Sequence, residues 1–144
     1  MNANELQVGS WVLRNGKPTQ VLSILNNESC SVTHGNGWCG EAISQLEPIP
    51  ITKELLLRSG FELKSESPYS QYFAIDFDDV DIDYLVVELH PKANYVRVNY
   101  QTEKRKVQLS CSLGGCHLHE LQHLLTLCKI DFEFSVKTKI VWKR

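Results

Sequence analysis

The sequence predicts an α+β fold: a mainly antiparallel sheet with two helices and a small SH3-like β unit at the N-terminus. Short runs rich in β-branched and aliphatic residues alternate with turn residues along most of the chain. Only two segments have helical spacing of apolar residues or helix capping signals. The connections between strands are short, which favours antiparallel neighbours because parallel crossovers need about a dozen residues or more.

The first fifty residues predict a small curled sheet. Asn15-Gly16 is a strong hairpin signal between two apolar runs. Residues 34–40 contain three glycines and predict a loop or tight bend. The predicted strands cover residues 8–13, 19–25, 29–34 and 42–46. Pro48 and Pro50 mark the predicted boundary, which gives a β-barrel-like unit over 1–50 and an α+β unit over 51–144, either separate or joined in one compact domain.

The second unit begins with a short predicted helix. Thr52 is a suitable N-cap, residues 53–59 form the helix, and Gly60 ends it. Residues 62–70 read as a polar connection. Four strands are predicted after it, over 71–77, 82–89, 95–100 and 105–111.

A longer helix is predicted over residues 116–129. Its apolar stripe has helical spacing and consists of Leu118, Leu121, Leu125 and Cys128. A final strand is predicted over 131–142.

Composition excludes several broad classes. Fifteen Lys and Arg residues against seventeen Asp and Glu give a net charge of −2, which argues against a general nucleic-acid coat protein. No apolar run approaches the roughly 20 residues that span a bilayer, so no membrane association is expected. Five cysteines without a secretory signal indicate reduced thiols and a cytoplasmic protein.

The segment from His119 to His123 matches the H-E-x-x-H pattern of zinc proteases. On a helix, His119 and His123 share a face, but that face lies opposite the leucine stripe and is expected to point to solvent. Thr126 and Lys129 stand where the metzincin extension needs Gly and His. We therefore expect no metal site, no cofactor and no enzymatic activity, with His119 and His123 as ligands in the alternative metalloprotease hypothesis.

The cysteines lack the paired C-x2-C spacing of structural zinc sites. Two groups could still be imagined: Cys111, Cys116, His117 and His119, and Cys30, His34 and Cys39. We expect these thiols to be buried, or exposed without a functional role. A nucleophilic pair of Cys39 and His34 remains open, although no third group orients it.

A run of acidic residues is the most distinctive charge pattern. In a single strand, Asp79, Asp81 and Asp83 would line one face. Asp76, Asp78 and Glu88 extend the run, which contains neither Lys nor Arg. The row predicts a partner-binding surface, and the alternatives are cation binding or a solvated strand protected against aggregation.

Basic residues cluster twice, each time beside aromatic residues. Such clusters contact RNA or phosphate, or they pair with acidic residues across strands. The candidate contact residues are Arg97, Lys104, Arg105, Lys106, Lys137, Lys139 and Trp142.

Three segments resemble a group of small phage and prophage accessory proteins. The opening Asn4-Glu5-Leu6-Gln7-Val8-Gly9 is similar to an N-E-L-R-I-G start, and residues 47–61 resemble an E-P-I-P-L-T-E-E-W-L-L-K-F-G-F segment. Residues 117–124 are similar to a Y-x-H-x-L-Q-N-L helix. The resemblance implies a mobile-element protein that acts in bacterial cytoplasm.

Small phage proteins without catalytic motifs often bind and disable a host factor. The resulting hypothesis is inhibition of a host defence component, such as an anti-CRISPR protein that acts on an RNA-guided nuclease or its guide complex. Its partner would be a host protein or ribonucleoprotein, with RNA as a further contact. A sponge for a defence signalling nucleotide, with Arg97 on phosphate and Trp38 stacked on a base, is the alternative.

Overall fold

The computed structural model describes residues 1–79, 82–90, 92, 95–101, 108–113, 117–128, 130 and 132–136. For residues 76–79, 82–84, 95, 100, 101 and 108–113 it describes the backbone alone. The described residues form two antiparallel five-stranded sheets and two α-helices, so the predicted α+β class is confirmed.

The chain divides into two units. The first contains Met1–Ile51 together with the described residues from His117 onward, and the second is Thr52–Cys116. The predicted boundary near residue 50 agrees with this division, but the assignment of all later residues to one unit is corrected. The reason is visible at Leu118, whose backbone N–H donates to the Ile49 carbonyl at 2.8 Å. The chain thus returns to the first unit to place its last helix there.

The first unit is a meander with strand order β4-β3-β2-β1-β5. Its strands are β1 (Trp11–Arg14), β2 (Lys17–Ile24), β3 (Ser29–His34), β4 (Gly37–Ala42) and β5 (Leu46–Pro48). Short 3-10 helices cover Ala3–Glu5 and Ile43–Gln45, the second just before β5. Arg14 on β1 and Glu41 on β4 form an ion pair at 2.5 Å although their strands are not neighbours, so the sheet curls on itself. This is the predicted SH3-like arrangement.

Two tight turns build this sheet. Asn15 and Gly16 both have positive φ, 52° and 75°, as a type I′ hairpin turn requires. Gly35, with φ of 57°, makes the turn between β3 and β4. The predicted loop over 34–40 is therefore wrong beyond the turn, because β4 already begins at Gly37. The predicted strand over 42–46 is mainly the second 3-10 helix, Ile43–Gln45.

The core of this curled sheet is apolar and comes from strand positions together with Leu6 and Ile43, which lie outside the strands. Its buried residues are Leu6, Val12, Val21, Cys30, Val32, Ile43 and Leu46. Helix α2 (Leu118–Leu127) lies against β1 and buries the predicted stripe residues Leu118, Leu121 and Leu125. Residues 132–136 form no strand, which corrects that part of the predicted strand over 131–142; Phe134 and Val136 are nevertheless buried.

The second unit is helix α1 (Lys53–Arg58) followed by an antiparallel meander in sequential order. Its strands are β6 (Glu62–Glu66), β7 (Gln71–Asp79), β8 (Ile82–His90), β9 (Tyr95–Gln101) and β10 (Gln108–Leu113). Thr52 caps α1 as predicted, since its hydroxyl accepts the Leu55 N–H at 3.2 Å. Strand β6 replaces part of the predicted polar connection. Neither α1 nor α2 has the length and apolar character needed to cross a membrane.

Candidate functional site

The acidic run lies on the β7–β8 hairpin. Asp79 is the last residue of β7 and pairs with Ile82, the first residue of β8. Asp83 follows on β8, and Asp81 lies outside the described residues. The expectation that the three aspartates line one strand face is wrong, because the chain reverses between Asp79 and Asp83. The acidic positions are instead distributed over two strands at one end of a hairpin.

Glu88 does not belong with these aspartates. It is only 8% exposed, and its Oε1 accepts a hydrogen bond from Asn99 Nδ2 at 3.1 Å. His90 Nε2 lies 3.3 Å from its other carboxylate oxygen, Oε2. A buried carboxylate with several partners stabilises a sheet more readily than it meets an incoming protein.

Arg97 is a cross-strand partner of Glu88. The two residues are paired between β9 and β8, with 4.0 Å between the Arg97 guanidinium and Glu88 Oε2. The side chain of Arg97 is still partly exposed, so its outer nitrogens remain accessible to solvent. The other candidate RNA-contact residues, Lys104, Arg105, Lys106, Lys137, Lys139 and Trp142, lie outside the described residues.

The H-E-x-x-H segment occupies the first part of α2, as expected, but His119 is not exposed. It is 3% exposed, whereas His123 is partly buried. The prediction of a solvent-facing histidine face is therefore wrong for His119. Burial has the largest effect on the pKa of this imidazole, and the charges of Glu120, His117, Glu5 and the N-terminal amino group have smaller effects.

The environment of His119 disfavours a charged ring. Burial lowers its pKa, and its Nδ1 has no hydrogen-bond partner among the described residues. The His117 ring stacks on it at 5.8 Å between centroids, and His117 Nδ1 lies 3.0 Å from Glu120 Oε1. In the described part of the chain, no three His, Cys, Asp or Glu side chains are grouped to hold a metal ion.

Cys30 on β3 and Cys39 on β4 are free thiols. Cys30 is fully buried, and burial raises its pKa, so it is a poor nucleophile. Cys39 pairs with Val32 across β4 and β3, and His34 pairs with Gly37 near the turn. The His34 ring is oriented toward Arg14, with 3.4 Å between His34 Nδ1 and Arg14 Nη1.

Trp38 is an exposed aromatic residue, for which the sequence predicted only stacking on a nucleotide base. It lies on β4, directly opposite Thr33 on β3, and its side chain is 68% exposed. Gly40 and Ala42 follow at alternate positions and are also exposed. Trp38 belongs to the first unit and Arg97 to the second, so the two residues of the proposed nucleotide site come from different units.

Gln122 joins α2 to the loop before β1. Its Oε1 accepts the Trp11 N–H at 2.8 Å, and its Nε2 donates to the Gly9 carbonyl at 3.1 Å. A cavity of about 630 Å³ adjoins this contact, between the loop, α2, residue 130 and residues 132–136. In the sequence, Gln122 is distinguished only as the Gln shared with the Y-x-H-x-L-Q-N-L helix of the phage group. A side chain that bonds two distant backbone groups leaves no local signal of that role.

No protein-family model, curated protein or solved structure matches this chain.

Proposed function

We propose that this protein is a phage- or prophage-derived binding protein that inhibits a host defence component in the bacterial cytoplasm. Its target would be an RNA-guided nuclease or the guide-loaded complex of that nuclease. The protein would act by occupying a surface of its target, without chemistry of its own.

The observation that supports this proposal is the acidic end of the β7–β8 hairpin. Aspartates occur at 76, 78, 79, 81 and 83, and no Lys or Arg occurs from residue 65 to residue 91. RNA-guided nucleases hold their nucleic acids in positively charged channels. A hairpin that concentrates carboxylates is a suitable shape and charge to enter such a channel, and opposite charge accelerates encounter. The resemblance to phage accessory proteins supplies the biological context.

The test is a cleavage assay with a purified guide-loaded nuclease and its DNA target. We expect the wild-type protein to suppress cleavage. The variant D79N/D81N/D83N should require a concentration at least roughly tenfold higher for the same suppression, because several charge pairs with the nuclease are lost. Inhibition by the wild type should also weaken as salt is raised, since screening shortens the reach of surface charges.

The matched control is E28Q/E47Q/E54Q, which removes the same charge from three exposed positions elsewhere. We expect this variant to inhibit like the wild type. If representative guide-loaded nucleases cleave normally in the presence of the wild type and do not bind it, the proposed target is wrong. If both triple variants lose inhibition equally, net charge and not the hairpin is responsible.

A further inference from the structure

Strand β4 is an edge strand, and the turn between β3 and β4 determines which of its backbone groups face away from β3. Among the described strands, β4 pairs with β3 alone. The two-residue turn at Gly35-Asn36 makes His34 and Gly37 a hydrogen-bonded pair, so alternate residues from Gly37 onward face β3. The Ile43 N–H donates to the Glu28 carbonyl at 2.9 Å, in agreement with that alternation. The backbone groups of Trp38, Gly40 and Ala42 therefore point to the open side.

This edge lacks the protection found on the edges formed by β5 and β6. Strand β5, at the opposite edge of the same sheet, has three residues and ends at Pro48. Edge strand β6 carries Glu62, Lys64 and Glu66. Charged residues, proline and short length are the usual means by which proteins prevent edge pairing. The one charged residue of β4, Glu41, is neutralised by Arg14.

Neither the backbone conformation nor the space at position 40 requires a glycine. Its φ is not in the left-handed region, and a Cβ added there would meet no atom within 4 Å. Glycine weakens a strand interior and often marks close approach by another chain. The space above Gly40 lies beside the exposed indole of Trp38, two residues away on the same strand face.

We propose that two copies of this chain pair through β4, antiparallel, about a twofold axis at Gly40. This register sets Gly40 opposite Gly40 of the second copy, and Trp38 opposite Ala42. Each indole then covers the space above the second copy's glycine, so large and small side chains alternate across the axis. A twofold interface needs a surface that is complementary to itself, and the Trp-x-Gly-x-Ala pattern of β4 meets that condition.

The backbone of the edge supplies the remaining contacts. Trp38 and Gly40 offer both N–H and C=O groups, whereas Ala42 is the N-cap of the 3-10 helix Ile43–Gln45 and its carbonyl accepts the first bond of that helix. The Ala42 N–H already donates to Glu41 Oε1 at 3.2 Å, so pairing does not depend on it. Six-residue strands bury less area than the roughly 1,200 Å² of a stable interface, so the dimer is expected to dissociate on dilution.

Sedimentation equilibrium from about 1 μM to several hundred micromolar tests the association. The mean mass should rise with concentration from 16.5 kDa toward twice that value. A constant mass of 16.5 kDa over this range would overturn the proposal. W38A should remain monomeric, while L127A, which removes an equally exposed apolar side chain from α2, should associate like the wild type.

Charge substitutions at Gly40 test the register. G40K and G40E each place like charges directly opposite each other on the axis, so each variant alone should stay monomeric. An equimolar mixture of the two should associate again, because opposite charges then meet. Circular dichroism should show both variants folded, as the open space at Gly40 allows. If G40K associates like the wild type, or if the mixture of folded variants stays monomeric, the register is wrong.

Discussion

At the scale of single residues, the buried imidazole of His119 has a clear energetic consequence. The ring is almost fully buried, its Nδ1 lacks a partner in the described part of the chain, and burial lowers its pKa. The groups that act on it are Glu120 and Glu5, which favour its charged form, and His117 and the N-terminal amino group, which oppose it. In the folded protein, the ring of His119 is therefore harder to protonate than an exposed histidine.

We therefore predict that stability falls as the pH drops below the ordinary histidine pKa of about 6.5. The unfolded chain takes up a proton there, while folded His119 does so only at its lower pKa, so the free energy of unfolding decreases between those two values. H119L should reduce this decrease and raise stability by about 1–3 kcal/mol, because an unpaired buried polar group is removed. Urea unfolding of the wild type and of H119L at pH 5 and pH 8 measures the change in the free energy of unfolding between the two pH values. H123Q is the control, and an equal change in that variant would contradict the assignment.

Gln122 differs from His119 because both its amide oxygen and its amide nitrogen have hydrogen-bond partners. Q122A would leave the Trp11 N–H and the Gly9 carbonyl without the side-chain partner that each now has. Gln20 Nε2 also donates to the Gly9 carbonyl at 3.1 Å, so that carbonyl keeps one side-chain partner in Q122A. We expect Q122A to lower the free energy of unfolding by about 1–3 kcal/mol. In the same urea experiment, L127A should change it by less than about 0.5 kcal/mol, as expected of an exposed site.

At the scale of elements, capping was readable from the sequence. Thr52 was predicted as the N-cap of α1, and its hydroxyl accepts the Leu55 N–H. T52A should cost about 0.5–2 kcal/mol, whereas T52S should retain most of the stability because serine supplies the same acceptor. Thermal unfolding compares the three proteins, and equal losses in both variants would show that the hydroxyl bond does not contribute.

Two strands escaped prediction for different reasons. The glycines at 37 and 40 made β4 look like a loop, yet the turn consists of Gly35 and Asn36 alone, and the strand begins at Gly37. Strand β6 is polar and mostly exposed, so it lacks the alternation of a half-buried strand. Residues 132–136 show the reverse error, since their alternating burial resembles a strand without forming one in the described residues.

The candidate site was only partly accessible to sequence reasoning. The aspartates could be recognised as a group, and the predicted strands over 71–77 and 82–89 already implied a reversal among them. The extension of β7 to Asp79 was not predicted, and it leaves no single strand that could align Asp79 with Asp83. The contacts of Glu88 were equally hidden, since Asn99 comes from the neighbouring strand β9 and His90 lies two residues further along β8. Side chains that act across strands have no signature within either strand alone.

At the scale of the whole molecule, the chain builds its first unit from two distant segments. Residues 52–116 are inserted between the SH3-like strands and α2, and the return is fixed where Leu118 bonds to Ile49. The sequence pattern could not reveal this, because an amphipathic helix indicates that one face is buried but not which sheet it covers.

This division predicts where a core substitution acts. Leu121 on α2 is fully buried in the first unit, and Leu55 on α1 is almost fully buried in the second. Each leucine-to-alanine change should cost about 2–5 kcal/mol. Hydrogen exchange by mass spectrometry locates the loss: L121A should accelerate exchange mainly in β1–β5, although residue 121 is some seventy positions beyond β5 in the sequence, and L55A mainly in β7–β9. If L121A instead accelerated exchange chiefly in β7–β9, α2 would belong with the second sheet, as the contiguous division of the sequence had predicted.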